Sequence, residues 1–304
     1  MSWERTIQQL VGSPNMPKAS QLATLSYLPE GGKEMLAQVW PRIPTARKRT
    51  LLNILSELMG DNLDLDFHSV FLVALDDPDA EVRALAVRGL WEYEGQDLVP
   101  KLIHLLQNDP SPLVREGAAL VLGQFVLRHH LGHLKEKHYR PIEEALRQTF
   151  EDETERPEVR GRALEALGSV GHLPWVKEAI RSAYESLHTR LRISAIHAMG
   201  FSADPAWLPI LLHELQNDDP EYRYQAALAC GSIGDPKAIP YLTPLLHDDD
   251  LETRLAAIAA LGQIGDEEAK AALLPLRDDP SPAIREAVAT ALQELEFLRD
   301  PLGP

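Results

Sequence analysis

Four of the eleven histidines crowd into one stretch, Arg128-His129-His130-Leu131-Gly132-His133-Leu134-Lys135-Glu136-Lys137-His138. His129 and His133 stand four apart, the spacing at which two imidazoles on one helical face reach a common metal ion. Gly132 weakens that helix, and Lys135 and Lys137 would repel a cation. His129 and His133 are therefore weak metal candidates, and a solvated, partly helical loop is the expected state of the segment. No Gly-rich phosphate loop, Gly-x-Ser-x-Gly elbow or pair of catalytic carboxylates in a suitable loop occurs elsewhere. Cys230 is the only cysteine, so an intramolecular disulfide and a cysteine-ligated iron–sulfur cluster are both excluded. The expectation is a chain with no catalytic residue, no metal and no cofactor of its own.

Another recurring group is an arginine. It opens Arg83, Arg115, Arg160, Arg192, Arg223, Arg254 and Arg285, at spacings of 32, 45, 32, 31, 31 and 31 residues, with a degenerate copy around Arg47. Small or aliphatic residues follow at +3, +4 and +7, one stripe of an α-helix, and a period in the low thirties marks a solenoid. Glycine at +8 in five copies reads as a left-handed helix stop, and small residues at +3 and +6 allow close helix approach. Each repeat also holds an earlier helix opened by an Asp cap, as at Asp204-Pro205, Asp235-Pro236 and Asp266-Glu267. Pro240 and Pro244 predict that such first helices bend. The 45-residue spacing places an insertion near 124–141.

The Asp-Pro turns, the Val-Arg pairs and the Ala-x-x-Ala-Leu-Gly endings resemble the HEAT family, and more narrowly the phycobilisome-lyase HEAT-like repeats, over roughly Thr45 to Leu295. The resemblance implies an all-α, right-handed α-α superhelix of about eight helix pairs. Residues 1–44 would form an atypical helical cap, 45–298 the repeats and 299–304 a tail. It also implies that Asp77, Asp109, Asp248 and Asp279, each six residues before Arg83, Arg115, Arg254 and Arg285, form an inter-helix or inter-repeat ladder with these arginines. Bidentate pairing and tolerance of partial burial account for arginine there in preference to lysine.

Function is less constrained, because this superfamily hosts adaptors, chromophore lyases, hydroxylases and DNA glycosylases. HEAT-repeat deoxyhypusine hydroxylases hold two irons with several His-Glu dipeptides, of which only His213-Glu214 is present. A bilin-lyase-like role would use Arg88 and Arg162 for propionates, although Glu116 and Glu165 offset them. A formal charge of −16 disfavours nucleic acid and anionic membranes as partners. No apolar run is long enough to cross a bilayer, and the start shows no leader-like segment, so a cytoplasmic, unprocessed chain is expected.

The leading expectation is a protein-interaction scaffold or assembly adaptor. Acids and bases number 4 and 7 in residues 1–60, 23 and 16 in 61–203, and 19 and 7 in 204–304, a gradient of +3, −7 and −12 that would steer a partner with a basic surface. If −1, +3, +4 and +7 face the core, +1, +5 and +9 line the concave wall. In the later repeats these positions are Ile193, His197 and Phe201, then Tyr224, Leu228 and Ser232, then Leu255, Ala259 and Gln263. Ile193, His197, Phe201, Tyr224, Leu228 and Leu255 form the candidate partner-binding patch, with burial between neighbouring helices as the competing reading.

Overall fold

The computed structural model describes residues 2–299, so most of the 299–304 tail lies outside the described residues. These residues form eighteen α-helices and no strand. They divide into two compact units, residues 1–149 and 150–304.

Unit 1 holds α1 (Trp3–Gly12), α2 (Ala19–Leu22), α3 (Glu30–Val39), α4 (Thr45–Asp61), α5 (His68–Ala74), α6 (Ala80–Arg88), α7 (Val99–Asn108), α8 (Pro112–His130) and most of α9 (Glu136–Glu151). Helices stack by alternate members: α1 on α3, α3 on α5, and α2 on α4, α4 on α6, α6 on α8. The N-terminal helices bury Ile7, Leu10, Leu36 and Trp40 in this arrangement. Arg47 ties the end of α1 down by donating to the carbonyls of Leu10, Ser13 and Pro14.

The insertion is more ordered than a solvated loop. Residues 124–130 prolong α8, a short turn passes through Gly132 at φ +78°, and α9 begins at Glu136. Leu134 and Tyr139 are buried, and the apolar surface they remove from water holds the segment down. Gly132 does break the helix, but only after both flanking segments have formed.

Unit 2 holds α10 (Pro157–Ala166), α11 (Pro174–Tyr184), α12 (Thr189–Ser202), α13 (Leu208–Glu214), α14 (Pro220–Ile233), α15 (Ile239–Leu245), α16 (Leu251–Ile264), α17 (Glu267–Leu273) and α18 (Pro282–Arg299). The second helices of successive repeats, α10, α12, α14, α16 and α18, pack side by side in one layer. Asp204, Asp235 and Asp266 cap the first-helix segments by accepting from the backbone N–H of Ala206, Lys237 and Glu268. Pro240 sits in the first turn of α15 after a 3₁₀ turn, where its missing N–H is harmless, while Pro244 lies inside the helix.

Four of the five +8 glycines are not helix stops; α10 does end just before Gly168, without the left-handed conformation a glycine stop would use. Gly200 and Gly231 lie inside α12 and α14, and the helices end at +11, where Ala203, Gly234 and Gly265 adopt φ of +48°, +70° and +74°. The +8 glycines serve close approach instead. A Cβ on Gly200 would fall 2.7 Å from the Cα of Ala229, and one on Gly231 would fall 2.8 Å from the Cα of Ala260. Ala229 and Ala260 occupy +6 of the next repeat, so the small +6 and +8 positions interlock along the layer.

Candidate functional site

Two of the repeat arginines, Arg83 and Arg223, reach forward to a carboxylate of the next repeat. Arg83 donates from Nε and a terminal nitrogen to both oxygens of Asp109, each at 2.8 Å, and Arg223 does the same to Asp248 at 2.7 and 2.8 Å. The residue six before contributes its carbonyl: Arg83 also donates to Asp77 O, Arg115 to Asp109 O, Arg223 to Asn217 O and Arg285 to Asp279 O. The local pairs are therefore corrected: the carboxylate of Asp77 bonds the Lys48 ammonium at 2.6 Å and the Trp40 indole at 2.8 Å, not Arg83. Asp248 serves Arg223 rather than Arg254, whose Nε is buried without a hydrogen-bond partner. Asp279 accepts from the Ser281 N–H, while Arg285 holds two turn carbonyls.

The same aspartates order their own turns, since Asp77, Asp109, Asp248 and Asp279 accept the N–H of the residue two further on. A short side chain can do this only from the loop, and Asp109 and Asp248 accept the turn N–H and a forward arginine together. Arg192 lacks an Asp partner and lies between the rings of Tyr184 and Tyr222, at 5.7 and 5.1 Å from their centroids.

The histidine cluster does not assemble a metal site. His133 lies beyond Gly132, off the helix carrying His129, so the four-residue spacing is not realised on one helical face. The His129 ring stacks on Tyr139 at 3.9 Å, and its Nδ1 bonds the Leu134 carbonyl. No group of three or more His, Cys, Asp and Glu converges among the described residues. Glu214 is buried, accepting from the Tyr184 hydroxyl and from Asn217 Nδ2 at 2.6 Å. Burial and that bond to Glu214 push the Tyr184 hydroxyl up to about 12. Burial also pushes the Cys230 thiol up to about 12, leaving no reactive thiolate at neutral pH.

The +1, +5 and +9 positions of unit 2 make a graded surface. Ile193 is only 7% exposed and drops out of the candidate patch. Gly161 occupies the matching position of α10, a Cβ there would collide with Ser194, and the resulting close approach covers the neighbouring side chain. Tyr224, Leu228 and Leu255 are half-buried, and Phe201 is 50% exposed. The His197 ring stacks on Phe201 at 5.3 Å. A groove of about 210 Å³ runs between His197, Phe201, Gln225, Leu228, Ser232 and Gln263. Gln263 also lines an adjoining groove of about 440 Å³ with Thr290, Gln293, Glu294 and Phe297.

Beneath this surface Glu165 is buried, bonded to Arg162 on its own helix, to Arg190 at 3.1 Å and to the Ser194 hydroxyl at 2.6 Å. The sequence offers the residue types of this cluster but not their convergence, which depends on how closely α10 and α12 approach. In unit 1 a separate groove of about 290 Å³ is lined by Ser56, Met59, Leu63, Arg88, Trp91 and Glu92.

The forward-reaching Arg83 and Arg223, capped turns and interlocked second helices define a repeat protein whose layers are built to be extended one unit at a time. The chain belongs to the HEAT-repeat family, whose repeats match residues 69–148 and 208–293. Over 166 residues it is 26% identical to an uncharacterized phycocyanin operon protein Z of Pseudanabaena tenuis, covering 55% of this chain and 78% of that protein. Its fold is similar to the complex of CpcE and CpcF of phycocyanin lyase from Nostoc, at a TM-score of 0.52 and 18% identity, over 88% of this chain and 96% of that one. No helix among the described residues is long and apolar enough to cross a membrane.

Proposed function

We propose that this chain is an assembly adaptor that holds another protein along the second-helix face of unit 2. The observation that carries the reading is the pair of adjoining grooves sharing Gln263, lined by the half-exposed Phe201 and the half-buried Leu228, with the half-buried Tyr224 one helical turn before Leu228 on α14. Apolar and aromatic side chains on the open side of an otherwise amphipathic helix layer are the usual anchors of a protein interface. The resemblance to one chain of a two-protein complex, CpcE with CpcF, supports a role exercised through a protein partner.

The test places a photo-cross-linking amino acid at Tyr224, and separately at the exposed Tyr241 on the first helix α15. Cross-linked partner is expected from Tyr224 alone, and Tyr224→Ala should weaken that complex by about 1–3 kcal/mol while leaving melting unchanged. Equal capture at both positions, or a Tyr224→Ala protein that mainly loses stability, would sink the reading.

A second reading is handling of a bilin chromophore, supported by the phycocyanin operon relative and by the unit 1 groove that joins Arg88 to Trp91 and Met59. Arg162 contributes less than its sequence position promises, because Glu165 already holds it. A free bilin whose absorbance changes on mixing with the chain, and does not with an Arg88→Gln variant, would favour this reading; no change with either would remove it.

A further inference from the structure

We propose that the groove between α12, α14 and α16 receives an arginine side chain of the partner. This rests on the partner-binding reading and names the chemistry of its central contact.

Two buried polar atoms of residues lining the groove, His197 Nδ1 and Gln225 Oε1, have no hydrogen-bond partner. The amide of Gln225 is oriented by its Nε2, which donates to Glu221 Oε1 at 3.2 Å, so the oxygen is the end left over. Buried acceptors without donors cost free energy that an incoming donor recovers. Burial depresses the basicity of His197, keeping the ring neutral so that one nitrogen can accept. The charged groups acting on it are Glu165 and Arg162 of α10 and Arg190 of α12, and both arginines are already tied to Glu165.

The donor that fits is cationic and planar. Phe201 offers an exposed aromatic face stacked on the His197 ring, and α12, α14 and α16 end at Ser202, Ile233 and Ile264, beside Phe201, Ser232 and Gln263. Three helix C-termini place the negative ends of their dipoles at that edge. Residues 204–304 carry 19 acids against 7 bases. A guanidinium can stack on the ring and present a fork of N–H groups to His197, Gln225 and Gln263 together. A lysine ammonium is a point charge that can sit over the ring but cannot lie flat on it and offer the planar fork to all three acceptors.

N-acetyl-arginine-N-methylamide is titrated into the full chain while the histidine ring C–H signals are followed by NMR, with His197 assigned by its loss in His197→Gln. The expected result is a saturable shift of the His197 signal, at a concentration at least about fivefold lower than for the matching lysine derivative. Phe201→Ala and Gln225→Leu should each raise the half-saturation concentration about fivefold or more at unchanged melting temperature. Because Phe201 is half exposed, its variant keeps the test usable if Gln225→Leu folds poorly. No shift, equal binding of the lysine derivative, or equal shifts across the other histidines would overturn the proposal. If Tyr224 captures a partner but the arginine derivative does not bind, the arginine receptor falls and the partner reading stands. If the derivative binds and Tyr224 captures nothing, the arginine receptor stands and the partner reading falls.

Discussion

Adding one methyl group to Gly200 should destabilise the protein, although the same change in an open helix stabilises it. Alanine is favoured over glycine in a helix interior by about 0.8–1.0 kcal/mol. Against that gain, the new Cβ would stand 2.7 Å from Ala229 Cα and 2.9 Å from Ala229 Cβ. Backbone cannot rotate out of the way, so α12 and α14 must separate and give up contacts along their length. Overpacking of this kind costs about 1–3 kcal/mol, and a backbone obstacle puts the cost at the upper end. The net expectation for Gly200→Ala is a loss of about 1–2 kcal/mol, a melting point lower by roughly 2–8 °C for a unit of this size. Gly60, near the end of α4, is the internal control, since a Cβ there meets nothing within 4 Å. Gly60→Ala should be neutral or stabilise by up to about 1 kcal/mol. Urea unfolding followed by far-UV circular dichroism measures both. A Gly200→Ala protein as stable as the parent would refute the interlocking of the +6 and +8 positions.

Three further outcomes are expected. The hydrogen bond from Arg223 holds the Asp248 carboxyl below its ordinary 3.8, so its stabilisation is complete above that value and lost as pH falls through the lower folded value. Urea midpoints should therefore drop more steeply below about pH 4 for the parent than for Asp248→Asn, and parallel curves would contradict the rung. Removing residues 1–40 takes away the helices packed on α4 and α5 together with the Trp40 indole on Asp77, and should cause aggregation or a large fall in melting temperature. A monomeric truncation of unchanged stability would rule out a capping role. Association with a basic partner should slow as salt is added, measured by stopped-flow mixing, and a salt-independent rate would remove electrostatic steering.

Much of the helix arrangement was legible because its signals are local. The Asp caps at 204, 235 and 266 and the apolar stripes need only a few neighbouring residues to be recognised. The partner of each guanidinium was not, because Arg83 meets Asp109 26 residues away while Asp77, six residues back, offers a plausible but wrong carboxylate. The +8 glycine looked like a stop for the same reason: a Gly near a helix end is ambiguous until the neighbouring helix is in place. Ala203 adopts the left-handed position although its residue type carries no signal for it. The candidate surface was partly visible as Phe201, Tyr224 and Leu228 at +9, +1 and +5. The burial of Ile193 and the orphaned acceptors of His197 and Gln225 arise from packing across helices, which spacing along one helix does not encode.

The forward reach of Arg83 and Arg223 sets a quantum for changes in chain length. A 31-residue block from Arg223 to Thr253 contains both ends of one rung, Arg223 and Asp248. Duplicating or excising that block carries donor and acceptor together and strands neither charge. A block of any other length would shift the next aspartate, Asp279, away from the offset at which Asp248 meets Arg223 and would leave the guanidinium half-buried and alone, a far costlier state than the loss of the whole pair. Blocks of one repeat should thus be tolerated where blocks of other lengths are not, so that the array lengthens or shortens in steps of one repeat.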